Sequence, residues 1–148
     1  MGLDMYLKAK KYISEHFDKE TFEKVNSLNL GQKNMKVNEV MAEAMYWRKA
    51  NAIHDWFVRE CQGGIDECQE TYVKTEDLKR LRDLCREVLS NKKKAEKLLP
   101  TKSGFFFGDV NYDEWYFDYV QNTETGLSKI LEDEELTNGW DFYYQSSW

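Results

Sequence analysis

The spacing of apolar side chains changes several times along this chain, and each change predicts an element. Gly2 to Ile13 sets Leu3, Met5 and Leu7 against Asp4, Tyr6 and Lys8. That two-residue period predicts an opening strand. Ser14 to Lys33 is polar and irregular. It reads as a loop or excursion, or as a short helix after Asp18 lined by Phe17, Phe22, Val25 and Leu28 and ended by Gly31. Asn34 to Tyr46 fits both periods: Met35, Val37 and Ala44 or Tyr46 alternate, while Val40, Met41, Ala44 and Met45 share a helical face. A strand running into a helix near Trp47 is favoured, because the first strand needs a partner for its backbone groups.

From Trp47 the period is helical. Trp47, Ala50, His54, Phe57 or Val58, and Cys61 form a stripe that Ile53 and Trp56 widen, and Gln62-Gly63-Gly64 stops it. Ile65 to Glu70 is a loop, and Thr71-Tyr72-Val73 a short strand. Thr75 is the expected cap of a second helix with Leu78, Leu81, Leu84 or Cys85, and Val88 on one face. Lys92 to Leu99 adds a short helical piece stopped at Pro100. Thr101 to Gly108 is an apolar run between glycines, read as a turn with a short strand or buried loop. Asn111 or Asp113 caps a third long helix through Leu131, with Gly126 as a weak point. Asn138-Gly139 is a turn signal, and Trp140 to Trp148 a closing strand with Phe142 and Tyr144 on one side. The sum is an α+β fold: a small, mostly antiparallel sheet covered on one face by about three helices, in a single domain (1–148).

Composition supports a folded domain. Aromatics make up 15% of the 148 residues, and they provide the burial that offsets chain entropy. The net charge of −6 argues against a nucleic-acid polymer or an anionic membrane as partner for the whole surface. No secretory signal or membrane-length apolar run is present, and Cys61, Cys68 and Cys85 read as reduced packing thiols, so a cytoplasmic location is expected. Charge is uneven. Lys74 to Lys102 is rich in cations, whereas from Asp109 onward Lys129 is the sole cation. Solvated helix faces account for this, or else the basic helix rims an anion site or meets the acidic helix of another copy.

Candidate chemistry concentrates in Tyr46 to Val58. Arg48 offers a planar fork and Lys49 a point charge for phosphate; Asn51 can read a donor–acceptor edge; His54 can donate a hydrogen bond or act as acid or base. Arg48, Asn51 and His54 are spaced by three, which places them on one side of a helix. Core packing or solvation explains the same residues. The aromatics can stack a base while bonding its edges, although packing accounts for more than half of them. Asp113-Glu114 is better read as helix capping than as a metal site, because neighbours on a helix diverge by about 100°. No phosphate loop, zinc spacing, nucleophile elbow or kinase signature is present.

Five blocks carry a resemblance: Gly2 to Leu7, Tyr46 to His54, Ser103 to Gly108, Tyr112 to Tyr116, and Phe142 to Trp148. Together they resemble a family of small, largely uncharacterised proteins of tailed phages and prophages. The resemblance implies a phage protein made in a bacterial cytoplasm. By analogy with small phage proteins that sequester nucleotide immune signals, it leads to a non-enzymatic, homo-oligomeric binder of a small nucleotide-like anion that needs no cofactor or metal. In that reading Trp47, Trp115 and Phe106 stack or form walls, with Ser103 beside them. Arg48 and Lys49 hold phosphates, and Asn51, His54, Gln145 and Ser146 supply polar recognition. Two alternatives remain. One is a protein-interaction module that inhibits a host protein through Glu132, Asp133, Glu134 and Glu135. The other is a nucleotide-cleaving enzyme with His54 as general base and no other catalytic residue assigned.

Overall fold

The first strand, β1 (Asp4–Tyr12), alternates between buried and half-exposed positions as its sequence predicts. The computed structural model describes residues 2–31 and 33–148; Met1, and Gln32 within the expected 14–33 excursion, lie outside the described residues. That excursion contains a helix, α1 (Lys19–Ser27), whose cap is Asp18: its carboxylate accepts from Thr21 N–H. The chain continues through β2 (Glu39–Arg48), α2 (Asn51–Cys61), β3 (Thr71–Val73), α3 (Thr75–Ser90), a 3₁₀ turn (Lys92–Lys94) and α4 (Ala95–Leu98). It ends with α5 (Glu114–Glu132), α6 (Glu134–Gly139) and β4 (Asp141–Ser147). The four strands form one antiparallel sheet in the order β2-β1-β4-β3.

One face of this sheet is the core. Leu3, Met5 and Leu7 are fully buried there, beside Phe142 and Tyr144 of β4. Ile53 and Phe57 of α2, Leu78, Leu81 and Cys85 of α3, and Tyr116, Val120 and Leu127 of α5 belong to the same cluster. Each large side chain so buried is worth about 1.5–3 kcal/mol of transfer free energy. The Phe57 and Tyr144 rings stack 4.0 Å apart, which seats α2 directly on β4. The opposite face carries Asp4, Tyr6, Lys8, Lys10 and Tyr12 of β1. Opposite these stand Arg48, Tyr46, Glu43, Met41 and Glu39 of β2. Register shifts between Leu7 and Lys8, which makes Ala44 the additional residue of a β-bulge.

Several expectations are corrected. The expected helix near Trp47 begins at Asn51 instead, because β2 continues to Arg48 in register with Asp4 and Lys49 then turns at a φ of 55°. Trp47 is therefore a strand residue on the core face, where its Nε1–H donates to Thr123 Oγ1 at 2.8 Å. The second helix is capped at Lys74, not Thr75: Asp77 accepts from the Lys74 N–H. Asp113 caps α5, as one of the two expected caps, by accepting from Tyr116 N–H. Gly126 does not interrupt α5; Met45 lies against it, where a Cβ would meet the methionine methyl at 2.4 Å. Asn138-Gly139 closes α6 rather than forming an isolated turn, because the Asp133 carboxylate caps a short helix ahead of it. Thr101 to Gly108 contains turns and no strand. The described residues form six α-helices rather than about three, the extra ones being short.

The uneven charge has an internal partner. Arg86 of α3 donates to Glu124 of α5 at 2.8 Å, so the basic helix meets the acidic helix of its own chain. Among the described residues no helix is long and apolar enough to cross a membrane.

Replacing Trp47 by Phe should lower stability by roughly 1–3 kcal/mol, since it leaves a small void and removes the donor to buried Thr123. Urea denaturation checks this, and an unchanged midpoint would show that the indole hydrogen bond contributes nothing net.

Candidate functional site

The Tyr46–Val58 stretch is split by its fold. Arg48 ends β2 on the open face of the sheet, exposed, with Nη1 3.6 Å from Asp4 Oδ1. Lys49 turns the chain: its N–H donates to Leu3 O at 2.7 Å, and its aliphatic stem packs beside Gly2 and Gly108. Gly108 has a φ of +85°, which strains any other residue, and a Cβ there would crowd Lys49 Cβ at 3.1 Å. The turn sends Asn51 and His54 inward, away from Arg48. The expected convergence of Arg48, Asn51 and His54 on one helical side does not occur, because only the last two belong to the helix.

Asn51 is fully buried and is a staple. Its Nδ2 donates to Phe107 O at 3.0 Å and Asp109 O at 2.8 Å, and its Oδ1 accepts from Lys102 N–H at 2.9 Å. With Leu3 N–H donating to Phe106 O, these bonds hold the 101–109 loop against the start of α2 and the residue that leads into β1. An asparagine side chain can satisfy three backbone groups of one loop in this way.

His54 is 1% exposed, and both ring nitrogens are engaged. Nδ1 lies 2.7 Å from Tyr144 Oη, and Nε2 lies 2.9 Å from Asp66 Oδ2. Burial, with the Asp66 charge adding to it, pushes the Tyr144 phenol well above its usual value. A phenol donating to Nδ1, with Nε2–H donating to the carboxylate, is an assignment that satisfies both contacts. Asp66 Oδ1 also accepts from Trp148 Nε1–H at 3.0 Å. The result is a chain of bonds from Tyr144 through His54 and Asp66 to Trp148, which ties the 62–70 loop and the C-terminus to α2. His54 and Asp66 also line a cavity of about 290 Å³, with Arg59, Lys102 and Phe107 among its other walls. In this arrangement neither histidine nitrogen is free to take a proton from a substrate.

The remaining expected residues are dispersed. Trp47 is in the core and cannot stack on a ligand. Trp115, at 57% exposure, stands on α5, and Ser103 is exposed on the 101–109 loop. Phe106 is half-buried there against Phe105. Gln145 and Ser146 are neighbours on β4 and face opposite ways. Ser146 is buried opposite Met5, its Oγ without a hydrogen-bond partner among the described residues. Gln145 lies on the open face. The acidic run Glu132 to Glu135 lies at the α5–α6 junction and includes the α6 cap Asp133. Burial pushes the Cys61 thiol up to about 12 and raises Cys85 as well, as befits packing thiols.

A hollow of about 540 Å³ lies on the open face. Tyr6, Lys8, Met41, Glu43 and Cys68 line it, with Gln145, Ser146 and Ser147 of β4. Lys8 donates to Gln145 Oε1 at 2.6 Å and to Glu70 at 2.9 Å, and Gln145 Nε2 donates to Cys68 O at 3.0 Å. Lys10 also bonds Glu70 and lies 4.5 Å over the Tyr143 ring. Two cations thus share one carboxylate, and Glu43 stands opposite Lys8 on the same face. Tyr6 stands 5.4 Å from Tyr46, and Tyr72 stands 5.7 Å from Tyr143. Of the lining residues the sequence reading chose Gln145 and Ser146; Arg48 lies on the same face outside the hollow. Tyr6 and Lys8 were visible as the polar side of the first strand. Asp66 had no periodic signal, because a loop delivers it.

A comparison with protein families, curated proteins and solved structures finds no match to this chain.

Asn51→Ala should cost about 3 kcal/mol, because Lys102 N–H and two carbonyls then lie buried without partners. Urea denaturation measures it, and a loss under about 1 kcal/mol would mean that the loop is held by other contacts. Hydrogen bonds from Lys10 and then Lys8 hold the Glu70 carboxyl below its usual range. Its stabilisation is complete above the ordinary carboxylate pKa and is lost as pH falls through the lowered folded value. Glu70→Gln should therefore flatten the acid limb of a stability–pH curve while changing little between neutral and mildly alkaline pH; an acid limb identical to the parent's would remove Glu70 from the account.

Proposed function

We propose that this chain is a non-enzymatic binder of a small nucleotide-like anion, and that the open face of its sheet is the binding surface. The observation that carries the reading is the hollow across β1, β2 and β4, in which an aromatic ring, a cation and an amide stand on neighbouring strands. Its volume of about 540 Å³ falls in the range of small-molecule sites. Tyr6 offers a ring face for a planar base. Gln145 Oε1 has a second lone pair and Nε2 a second hydrogen, which suits a donor–acceptor edge. Lys8, Lys10 and Arg48 lie on the same face for an anionic group, and Glu43 can accept from an amine or hydroxyl. This reading keeps Gln145 and Ser146, which line the hollow, and Arg48 on the same face, from the sequence-based set, and gives the stacking role of Trp47 to Tyr6.

The biological role suggested by the phage resemblance is sequestration of a nucleotide signal of bacterial immunity. The engagement of both His54 nitrogens supports binding over cleavage.

The test is a thermal-shift panel of nucleotides, including cyclic and dinucleotide signals, at millimolar ligand. A binder at 100 times its Kd stabilises the native state by about 2.7 kcal/mol, a shift of several degrees. At least one ligand should raise the melting temperature, and Tyr6→Ala or Gln145→Ala should abolish that rise. A flat panel, or a rise that survives both substitutions, would reject the open face as the site.

A further inference from the structure

We propose that β2 is the interface for a second copy of this chain, through antiparallel pairing of β2 with β2 about a two-fold axis between Glu43 and Ala44. Among the described residues β2 pairs only with β1, so its outer edge is unpaired. At ten residues it is long for an edge strand. It contains no proline or lysine, two of the residues that guard such edges, and its remaining guards are the charges of Glu39, Glu43 and Arg48 and the bulge at Ala44. Met41 at 57% and Tyr46 at 45% exposure leave apolar surface beside it.

The register follows from faces and charges. Directly opposed residues in an antiparallel pair must lie on the same face. The β1 pairing puts Glu39, Met41, Glu43, Tyr46 and Arg48 on the open face, and Val40, Ala42, Met45 and Trp47 on the core face. The bulge at Ala44 produces this change from odd to even numbering. It allows a register in which Glu39 opposes Arg48 of the second copy, Val40 opposes Trp47, Met41 opposes Tyr46 and Ala42 opposes Met45. Every one of these pairs matches in face. An unbulged strand would set core-facing residues against open-face residues in the same register.

The outer pairs are of opposite charge at both ends of the seam, and Met41–Tyr46 places a thioether beside a ring on each side of the axis. Self-pairing of the first half alone, with Met41 on the axis, opposes Glu39 to Glu43 and is disfavoured. In the proposed register Glu43 opposes Ala44 of the second copy, so the two Glu43 carboxylates lie one position apart across the axis and repel each other there. The two Glu39–Arg48 pairs, at about 5 Å between Cβ atoms, offset that repulsion. Pairing joins two four-stranded sheets into one continuous sheet. It brings the two hollows to the same face beside the seam, since Met41 and Glu43 line each of them. The interface does not depend on the ligand reading.

The test is sedimentation velocity of the full chain over about 1–100 μM, a window that resolves micromolar dimers. The parent should be a dimer. Glu39→Arg or Arg48→Glu alone puts like charges at both ends of the seam and should weaken association about tenfold or more. The double variant Glu39→Arg/Arg48→Glu restores opposite charges and should recover the parent's dimer constant to within a few-fold. Both positions are exposed, so circular dichroism should show the variants folded like the parent. A monomeric parent across the whole range overturns the proposal. So does a dimer indifferent to the single reversals, or a double variant no better than either single.

Discussion

The structure depends on β1 being paired on both sides while burying one of its faces. Its register with β2 and β4 fixes which residues of three strands enter the core. A slip of one residue against either neighbour would turn Leu3, Met5 and Leu7 out and bring Tyr6 and Lys8 in. Burial on one side specifies that register. Because β1 is central, the helices pack only where its apolar side chains point, and the opposite face is left for polar and aromatic groups.

Around this sheet the buried polar side chains fasten loops. Asn51 closes the 101–109 loop, and the Tyr144–His54–Asp66–Trp148 chain closes the 62–70 loop and the C-terminus. Leaving any of these groups without a partner would cost a desolvation penalty of about 1–3 kcal/mol, more for a charged one. Satisfied, they give loops without regular structure a fixed place. Such use of His54 competes with catalysis, because a nitrogen held by Tyr144 or Asp66 is not presented to a substrate.

The open face has the complementary character. Its tyrosines pair with one another across strands, and its lysines share Glu70, so it is ordered without being covered. Preorganised aromatic and cationic groups on a rigid sheet reduce the entropy lost on binding a planar anion. The long unpaired edge of β2 lies beside the same hollow, so ligand binding and self-association would share one strand.

The sequence by itself determined the local elements. Alternation in Leu3 to Leu7 and in Phe142 to Tyr144 marked two strands, and the α3 and α5 stripes marked two long helices, because periodicity records burial directly. It also determined the α+β class, through the order of those elements. Tertiary structure alone decided where β2 ends, since pairing with β1 carries the strand through Trp47 and Arg48 against their helical spacing. It also decided which polar groups meet. His54 was legible as a residue able to do chemistry, but Asp66 and Tyr144, which occupy its nitrogens, reach it from a loop and from the last strand. The candidate site was only partly legible for the same reason. Gln145 and Ser146 line it, yet Tyr6 and Lys8 come from the far end of the chain, and only the β1–β4 register sets them beside Gln145.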